Sequence, residues 1–458
     1  MKYNKFFVTT ILIELGLIIS SIFSPFSNNL LYAQNPIVTN MFTADPTARV
    51  FNNKLYVYPS GDTIPPEGID CPRFCMPGYH VFSLENGSTW KNHGWILKEN
   101  EVPWGVRNEF AMWAPDCIEK DGKYYYFYPA KPAHDKAFRR IGVGVSSSPI
   151  GPFKWNKSYI EGISGIDPGL LLDDDNSVYL YYGGGQELHV VKLNDNMKKI
   201  QGKPITIQGL PYGYKEGSFP FKKDGIYYLA FAHVFPGEGY TIGYATSKKP
   251  LGPFVYRGKI MDNIANGTNH CSVVKYKGQW ILFYHSWQIS GYNKLRSICA
   301  DYMTFNKDGS IRKVIPTLRG IGTPTLRDTI QVDRYNEIHD AHTSFVGGSE
   351  PNGWMICDTK PNSYVRFDRV NFGNGEAKTI QARISCGQRN GDFEVHIDNI
   401  KGPCIAKFSA EYTGGWNKFK TISTTIPAKV KGVHNIYVIF HNFSGSFSTV
   451  NLNWLIIN

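Results

Sequence analysis

The segment Lys54-Leu-Tyr-Val-Tyr58 is the first of five short apolar runs that decide the fold. Each run follows a Gly, Asn or Ser turn and is rich in β-branched or aromatic residues, which is typical of short β-strands. The runs recur roughly every fifty to seventy residues, so they indicate a repeat architecture. The other four are Lys123-Tyr-Tyr-Tyr-Phe127, Val178-Tyr-Leu-Tyr-Tyr182, Ile226-Tyr-Tyr-Leu-Ala230 and Gln279-Trp-Ile-Leu-Phe283.

A polar residue in a short loop precedes each run by about ten positions. Unrelated turn residues, which are the alternative reading of any single Asp-Pro or Glu-Gly pair, would not share one place in every repeat. A second repeat supports the first, because Ser148-Pro-Ile-Gly-Pro-Phe153 is echoed by Lys249-Pro-Leu-Gly-Pro-Phe254. The five loop residues are Asp45, Asp116, Asp167, Glu216 and His270.

Strand-rich units of this size cannot bury their own faces and are expected to stack radially. Five such units predict an all-β fold whose first part is a five-bladed β-propeller. Equivalent positions at the start of each innermost strand would then converge on one central axis. We therefore expect Asp45, Asp167 and Glu216 to lie close together.

Three carboxylates around one axis, with aromatic residues nearby, suit the cleavage of an acetal. That chemistry needs one carboxylic acid to protonate the leaving oxygen and one carboxylate to activate water. A third carboxylate can raise the pKa of the acid by like-charge repulsion. The residues alone leave inversion and retention open, because their separations are not encoded in the spacing.

Composition excludes several other classes of protein. The chain has 458 residues, of which 42% are hydrophobic and 14% aromatic, so it can bury sizeable cores and is not a disordered chain. Its 45 Gly and 27 Pro residues are unperiodic, which excludes collagen. The net charge of +11 comes from scattered basic residues with no run of five or more. We therefore predict no nucleic-acid partner.

The first segment has the pattern of a targeting sequence. Lys2 and Lys5 precede an apolar stretch from Phe6 to Phe23, and a small residue, Ala33, stands where a signal peptidase would cut. Residues 1–33 are thus predicted to be a signal peptide, and the protein to be secreted or periplasmic. Glu14 interrupts the apolar stretch, which argues against a permanent membrane span.

Export would allow the eight cysteines to oxidise. Cys71 and Cys75 are close enough in sequence to pair, although spacing does not reveal connectivity. A zinc site is the alternative, but no second Cys/His pair lies at ligand spacing.

Residues 36 to about 325 resemble glycoside hydrolase family 43, five-bladed propeller enzymes that act on xylans and arabinans. The resemblance implies that Asp45 is the general base, Glu216 the general acid, and Asp167 the residue that tunes and orients the acid. It also implies single-step hydrolysis with inversion. The motifs that carry it, besides both Gly-Pro-Phe turns, are Thr43-Ala-Asp45-Pro-Thr, Met112-Trp-Ala-Pro-Asp116, Gly165-Ile-Asp167-Pro-Gly, Lys215-Glu216-Gly and Gly267-Thr-Asn-His270.

Three further residues follow from the resemblance. His270 is either a hydrogen-bonded buried histidine or the contact of a structural calcium or sodium ion held largely through water. Arg296 fits the family's substrate-contacting arginine, with a surface salt bridge as the alternative. Trp113 is either a stacking wall for a sugar or a core aromatic residue. No cofactor is expected to be required for the chemistry.

From about residue 329 the sequence changes to short alternating strands with frequent turns, as in a β-sandwich. This part resembles carbohydrate-binding module family 6, whose members hold a sugar between two aromatic rings above an asparagine. By that resemblance Trp354 is one wall and Asn451 the floor, while either Trp416 or Phe419 is the other wall. Trp454 is expected in the sandwich core. The motifs are Asn352-Gly-Trp354-Met, Tyr364-Val-Arg-Phe367, Thr413-Gly-Gly-Trp416, Gly432-Val-His-Asn-Ile-Tyr437 and Val450-Asn451-Leu-Asn453-Trp454.

A structural calcium in this module is the second ion that the resemblance implies. The chain departs from the usual pattern here, since Ile330-Gln331-Val332-Asp333 stands where two glutamates are common.

The combined prediction is a monomeric plant-polysaccharide hydrolase with a propeller over 34–325 and a binding sandwich over 329–458. We expect β-xylosidase or α-L-arabinofuranosidase activity on xylan or arabinoxylan, because family 6 modules often bind xylan. An insertion from Cys71 to Trp104 would wall off one end of the site and favour exo action. The alternatives are an endo-arabinanase, a galactan-active enzyme and a non-catalytic glycan-binding propeller.

Overall fold

The structure, a computed structural model, describes residues 31–458 except 33, 70, 72, 86, 88, 265–266, 347–349, 351–352, 388–390 and 442–449. Most of the predicted signal peptide therefore lies outside the described residues. The described part is built of β-strands, with one 3₁₀ turn over Glu99–Glu101. Among these residues, no helix has the length and apolar character needed to cross a membrane.

Five antiparallel sheets follow one another along the first three hundred residues. The first holds β1 (Leu31–Tyr32), β2 (Phe42–Phe51), β3 (Lys54–Asp62), β4 (Gly78–Glu85) and β5 (Thr89–Lys98), in the order β1-β5-β4-β3-β2. The second holds β6 (Asp116–Lys120), β7 (Lys123–Ala130), β8 (Arg140–Ser146) and β9 (Lys154–Trp155). The third holds β10 (Gly169–Leu172), β11 (Val178–Gly184), β12 (Glu187–Leu193) and β13 (Ile200–Thr206).

The fourth sheet holds β14 (Tyr214–Lys223), β15 (Ile226–Phe235), β16 (Gly239–Ser247) and β17 (Val255–Met261). The fifth holds β18 (Cys271–Tyr276), β19 (Gln279–Ser286) and β20 (Ser297–Met303). The five apolar runs of the sequence thus fall one in each sheet, in β3, β7, β11, β15 and β19.

The five sheets are the blades of a propeller. The strands β2, β6, β10, β14 and β18 contact one another in that order, and β18 contacts β2 again, so these strands form a closed inner ring. The N-terminal segment completes the three-stranded fifth blade. The Ile37 N–H donates to the Ile298 carbonyl at 2.9 Å, and the Ala300 N–H donates to Asn35 Oδ1 at 2.8 Å. The predicted five-bladed propeller is confirmed.

Apolar clusters fill the spaces between neighbouring blades. The repeated Gly-Pro-Phe turns contribute to two of them, because Phe153 is buried between blades one and two and Phe254 between blades three and four. Each turn is also tied to the preceding blade by a tyrosine. The Tyr58 hydroxyl donates to the Pro149 carbonyl at 2.9 Å, and Tyr181 donates in the same way to Pro250. The sequence repeat therefore reflects a repeated contact between blades.

One ion pair joins three blades at the inner ring. The Asp116 carboxylate is fully buried and accepts hydrogen bonds from Arg49 Nε at 2.9 Å and from the Leu170 N–H at 2.7 Å. The Arg49 guanidinium also lies 4.6 Å from the ring of Phe219 in blade four. Burial raises the pKa of Asp116, and Arg49 opposes that rise. The loop aspartate of the second repeat thus serves assembly of the ring.

The expected insertion from Cys71 to Trp104 is wrong. The structure forms β4 and β5 from residues in this segment, so most of it belongs to the first blade itself. The strand β5 escaped the sequence pattern because its middle, Lys91-Asn-His-Gly94, is polar. Only the loop before β4 reaches the centre of the propeller, where it contributes Arg73 and Phe74.

The remaining strands form a two-sheet sandwich. They are β21 (Thr329–Gln331), β22 (Glu337–His339), β23 (His342–Phe345), β24 (Trp354–Cys357), β25 (Tyr364–Asn371), β26 (Thr379–Ser385), β27 (Gly391–Ile397), β28 (Cys404–Ala410), β29 (Phe419–Thr425), β30 (Val433–His441) and β31 (Asn451–Ile457). One sheet has the order β23-β24-β31-β26-β29, with β21 on β31, and the other has the order β22-β25-β30-β27-β28. A single apolar cluster lies between them, which confirms the predicted sandwich.

Hydrogen bonds tie the sandwich to the propeller. Arg334 Nη1 donates to the Asn35 carbonyl at 2.6 Å, and Arg319 Nη2 donates to the Asp368 carbonyl at 3.0 Å. Arg319 is almost wholly buried, and this burial lowers its pKa to about 10. The two parts therefore share a polar contact surface in addition to the chain that links them.

Candidate active site

One pocket of about 310 Å³ at the propeller axis brings together all six propeller residues that the sequence singled out. They arrive from all five blades: two lie within inner strands, three in the loops before inner strands, and one immediately before β20. Further residues of the same pocket were not expected, among them Arg73, Phe74 and Tyr240. The six are Asp45, Trp113, Asp167, Glu216, His270 and Arg296.

Irregular backbone holds the three carboxylates. Asp45 and Asp167 have φ angles of 49° and 54°, in the left-handed region that only a few non-glycine residues adopt. The pairing of β2 with β3 shifts register between Ala44 and Thr47, around Asp45. The pairing of β14 with β15 shifts on both sides of Glu216. Such bulges re-aim side chains and are common at active sites.

Arg296 is the main positive charge beside Asp45. Its Nε and Nη2 form a two-pronged ion pair with Asp62, at 2.8 and 2.9 Å, which leaves Nη1 to face Asp45 Oδ1 at 3.3 Å. The guanidinium also lies 4.0 Å from the ring of Phe74. Arg296 is buried, so its salt bridge is an internal one and not the surface pair considered as the alternative.

His285 supports Asp45 from the opposite direction. The Asp45 N–H donates to His285 Nδ1 at 3.1 Å, while His285 Nε2 lies 2.7 Å from the Thr268 carbonyl oxygen. A neutral ring with its proton on Nε2 satisfies both contacts. Burial favours the neutral form of Asp45, but the charge of the Arg296 guanidinium outweighs it and holds the pKa of Asp45 well below its usual range. Asp45 is therefore a carboxylate.

Asp167 and Glu216 form a second, differently charged group. Burial raises the pKa of Asp167 well above its usual value, and the neighbouring Glu216 and Asp45 add to the rise. Burial and the charge of Asp45 also raise the pKa of Glu216. The Tyr240 hydroxyl donates to Glu216 Oε1 at 3.4 Å, and the Gly217 N–H donates to Asp167 Oδ2 at 2.9 Å. This pair can retain a proton at a pH where Asp45 is ionised.

His270 is buried at the floor of this pocket, and burial lowers its pKa to about 4. It is therefore a neutral imidazole, which can act as a metal ligand. Within the described residues, however, no cluster of three or more His, Cys, Asp or Glu ligand atoms includes His270. Since calcium takes six to eight oxygen ligands, these residues fit an ion held mainly through water and not a cage of protein ligands.

Trp113 forms part of the pocket wall and is largely buried. The Arg139 guanidinium lies 4.5 Å from the Trp113 ring. The Trp113 carbonyl accepts a hydrogen bond from the Tyr79 hydroxyl at 2.6 Å. Trp113 also packs with Ala44, Met76 and Ala111. The side chain thus combines the two alternatives, since it belongs to a small apolar cluster and borders the pocket.

Sequence reasoning missed Asp62, His285 and Tyr240. Asp62 and Arg296 are 234 positions apart, so no spacing could connect them. His285 offered a signal, because it follows the apolar run Gln279–Phe283 and so lies at the axis end of its strand. Phe74 offered a weaker one, since it lies between Cys71 and Cys75, whose Sγ atoms are 2.8 Å apart in the structure.

The predicted residues of the sandwich fall into two groups. Asn451 is buried, and its Nδ2 donates to Ser385 Oγ at 3.1 Å and to the Trp416 carbonyl at 3.4 Å. Phe419 pairs with Ser385 across β29 and β26, so it lies beside the same cluster. The Trp416 ring covers Gly387, where a Cβ would lie 2.2 Å from it. These three form one group.

Trp354 lies on β24, the neighbour of β31, and its carbonyl accepts a hydrogen bond from Asn453, two positions after Asn451. The Trp354 side chain is partly exposed and packs edge-on against Phe345, with ring centroids 5.4 Å apart. Trp354 also lines a cavity of about 710 Å³ between the propeller and the sandwich, together with Phe42 and Tyr335.

The expectation that Trp454 belongs to the sandwich core is wrong. It is half-buried, whereas Leu452 and Leu455 on the same strand are core residues. The pairing of β31 with β26 shifts register between Arg383 and Ile384, which inserts one residue and changes the face to which Trp454 belongs.

The comparisons agree with this geometry. Residues 33–311 match the family described as Glycosyl hydrolases family 43, and residues 333–458 match the Carbohydrate binding module (family 6). The chain belongs to glycoside hydrolase family 43 and carries a C-terminal family 6 module. It is therefore an enzyme of an inverting family that hydrolyses O-glycosidic bonds.

Three known proteins illustrate the similarity. Xylosidase/arabinosidase 43A of Humicola insolens is 34% identical over 327 residues, which cover 60% of this chain and 98% of that protein. A β-xylosidase/α-arabinofuranosidase from a compost microbial metagenome, solved with xylotriose in a calcium-free form, is 34% identical with a TM-score of 0.56, covering 62% of this chain and 97% of that one. An arabinoxylan arabinofuranohydrolase from Bacillus subtilis, solved with cellotetraose, is 25% identical with a TM-score of 0.56, covering 93% and 97%.

Proposed function

We propose that this protein removes terminal or side-chain pentoses from xylan or arabinoxylan, as a β-xylosidase or an α-L-arabinofuranosidase. The observation that carries the proposal is the division of charge within one pocket. Asp45 is held ionised, whereas burial and mutual repulsion favour a shared proton on Asp167 and Glu216. Hydrolysis with inversion needs one carboxylate as base and one carboxylic acid at the same time.

In the proposed reaction Asp45 accepts a proton from water as the water oxygen attacks the anomeric carbon. Glu216 donates its proton to the glycosidic oxygen, and the bond between that oxygen and the anomeric carbon breaks. Asp167 keeps Glu216 protonated and, through the Gly217 N–H, holds the loop that carries it. Arg296 keeps Asp45 ionised and presents Nη1 toward the pocket.

The pocket supports a small sugar as the bound group. Its volume of about 310 Å³ lies at the lower end of the range for ligand sites. Trp113 and Phe74 supply apolar faces to the wall, and sugar C–H faces suit such surfaces. The names of the relatives, which pair xylosidase with arabinosidase, support a pentose and leave its identity open between these two.

Further parts of the proposal concern ions, partners and location. A calcium ion held mainly by water beside His270 would supply a positive charge near the pocket floor, and a calcium ion in the sandwich stays a prediction. The sandwich is proposed to hold the polysaccharide while the propeller cuts. We also propose that the protein is secreted or periplasmic, because residues 1–33 have the pattern of a signal peptide. We propose that it acts as a monomer.

The substrate can be tested with aryl xylosides, aryl arabinofuranosides and a polysaccharide panel that includes xylan, arabinoxylan, arabinan and galactan. We expect release of free xylose or arabinose, and proton NMR should show the inverted anomer first. Oligosaccharide products from arabinan would instead support an endo-arabinanase. A wild-type protein that is inactive on every substrate and indistinguishable from Glu216→Gln would support a non-catalytic glycan-binding propeller.

Leaving groups distinguish the two carboxylates. Asp45→Asn should lose activity with every aryl leaving group, because no group remains to activate water. Glu216→Gln should retain more activity with a good leaving group, which needs little protonation. Glu238→Gln, at an exposed turn, is the matched control and should behave as wild type. Equal losses for Glu216→Gln with good and poor leaving groups would contradict its role as the acid.

A further inference from the structure

Four ligand-type side chains meet on the outward face of the second sandwich sheet. Glu394 and His396 alternate along β27 with the core residues Phe393, Val395 and Ile397, so both point away from the core. The first residue of β28 and the last residue of β30 join them from the two flanking strands. The four are Glu394, His396, Cys404 and His441.

The ligand atoms of these residues are already close together. Glu394 Oε2 lies 3.0 Å from His396 Nε2 and 3.3 Å from His441 Nε2. One ligand atom each of Glu394, His396 and Cys404 lies within 4.8 Å of the other two. In a tetrahedral zinc site with bonds of about 2.0–2.3 Å, neighbouring ligand atoms are separated by roughly 3.3–3.6 Å. Glu394, His396 and Cys404 therefore already stand at a spacing that one ion can bridge, whereas His441 contacts the group through Glu394 and would have to turn toward the ion.

We propose that Glu394, His396, Cys404 and His441 bind a zinc ion. The donor set of two imidazoles, one thiolate and one carboxylate is of the borderline-soft type that zinc prefers. It is unsuited to calcium, which takes oxygen ligands only. The site is separate from the catalytic pocket, which is built from propeller residues.

A neighbouring lysine completes the arrangement. Lys407 Nζ lies 2.7 Å from Glu394 Oε1, so it engages the oxygen opposite to the one that faces the histidines. Outer-shell contacts of this kind orient a carboxylate that binds a metal through its other oxygen.

The thiol must lose its proton when the ion binds. Zinc displaces that proton to solvent as the zinc–sulfur bond forms, and no electron is transferred. The binding of zinc should consequently strengthen as pH rises toward neutrality and above.

The position of the ion gives it a structural role. Cys404 begins β28, which is the edge strand of its sheet, and the other three ligands lie on β27 and β30. A shared ion would join the edge strand to two inner strands on the face of the sheet that is turned away from the core. Ligands from three strands meet only in the folded state, so binding stabilises that state.

Cobalt is the direct probe, because a thiolate bound to cobalt absorbs in the near ultraviolet and a tetrahedral site absorbs in the visible. The full-length protein is dialysed against a chelator and then titrated with Co²⁺, and with Zn²⁺ to displace it. We expect one metal per chain, both absorption bands, and a higher thermal midpoint with zinc. Cys404→Ser should lose the near-ultraviolet band, and His396→Gln should weaken zinc binding at least about tenfold.

The matched control is Cys357→Ser. Cys357 belongs to a second group, with His342 and Asp358, in which the histidine and the aspartate are both exposed. Retention of both bands in this variant supports the proposed site. The proposal is overturned if chelator-treated protein shows no near-ultraviolet cobalt band, or if the band survives Cys404→Ser and disappears in Cys357→Ser. Circular dichroism and a cooperative thermal transition of the sandwich confirm that each variant is folded, and His396→Gln decides the matter if Cys404→Ser does not fold.

Discussion

Gly217, next to the proposed acid Glu216, meets two constraints at once. Its φ angle is +68°, and a Cβ at this position would lie 2.9 Å from His270 Nδ1. Its N–H also donates to Asp167. A side chain here would therefore strain the backbone and push the loop away from the carboxylate pair.

Gly217→Ala is expected to lower kcat at least about fivefold, since strain of this kind costs roughly 1–3 kcal/mol. Steady-state kinetics on an aryl glycoside would measure the loss. Gly225→Ala is the matched control, because Gly225 has a φ angle of +76° but no atom within 4 Å of its added Cβ. It should lose some stability and keep its kcat. Equal kcat in the two variants would contradict the role of the Gly217 loop.

The charges at Asp45 and at the Asp167–Glu216 pair also predict the pH dependence. Asp45 has a lowered pKa and stays ionised throughout the working range. The pair has raised pKa values, so its acidic proton is present at low pH and is lost as pH rises through them. The alkaline side of the kcat/KM profile should therefore report this pair.

Asp167→Asn should move the alkaline limb of that profile to lower pH, because Glu216 loses a neighbouring carboxylate that opposes its ionisation. The kcat/KM profile and the thermal midpoint should be measured over the same pH range, so that unfolding is not mistaken for titration. An alkaline limb that stays in place while overall activity falls would contradict the tuning role of Asp167.

At the scale of strands, Asp116 shows that equivalent positions have different uses. Its buried carboxylate joins Arg49 of β2 to the backbone of β10. Asp116→Asn is expected to lower the free energy of unfolding by about 2–4 kcal/mol, because it leaves a partly buried guanidinium without its counter-charge. Urea unfolding followed by fluorescence would measure the change.

Asp121→Asn is the control for this prediction, since Asp121 lies in the exposed turn between β6 and β7 and pairs with Lys120. It should leave the free energy of unfolding nearly unchanged, because exposed ion pairs contribute little. The folded fraction of Asp116→Asn should retain its kcat. A stable but inactive Asp116→Asn would place the residue in the catalytic site instead.

The strands and the three carboxylates of the pocket could be predicted from the sequence, because each depends on a local pattern. The runs such as Lys54–Tyr58 alternate toward blade interfaces, and the loops of Asp45, Asp167 and Glu216 precede such runs at one spacing. The use of Asp116 could not be predicted, because an assembly residue and a catalytic residue occupy the same position in their repeats. The pairing of Asp62 with Arg296 depends on ring closure, which brings blade one against blade five.

Two errors have a common physical cause. The polar middle of β5 lacks apolar alternation, so the sequence does not reveal a strand there, and a bulge in β31 turns Trp454 away from the core that its sequence predicts for it. An outer strand needs little apolar surface, and a bulge reverses which residues face the core. Neither effect changes residue composition enough to be visible in the sequence.

At the scale of the whole molecule, Trp354 tests whether the sandwich binds the polysaccharide while the propeller cleaves it. Trp354→Ala should weaken binding to insoluble xylan by roughly 2- to 10-fold, which corresponds to the loss of one aromatic contact, and leave the turnover of aryl glycosides nearly unchanged. Pull-down on insoluble xylan and kinetics on the small substrate measure the two effects. Trp95→Ala, an exposed tryptophan of the propeller, is the control.

Either of two outcomes would contradict the prediction. An unchanged bound fraction would remove Trp354 from the binding surface. A loss of small-substrate turnover would show that the cavity it lines affects catalysis directly. That cavity also contains Phe42 and Ser297, which are near Asp45 and Arg296 in the chain.

The contact between the N-terminal segment and blade five has a consequence for how the chain is made. Asn35 Nδ2 donates to the carbonyls of Ala300 and Thr317, at 3.0 and 2.7 Å, so the ring is closed by residues that leave the ribosome far apart in time. Until then the apolar face of blade one that later meets Phe283 has no partner. A nascent chain usually folds from its N-terminus onward. Here the first blade cannot complete its contacts until the last blade has been synthesised. A chain that stops before Thr317 would leave the propeller ring open and would be prone to aggregation.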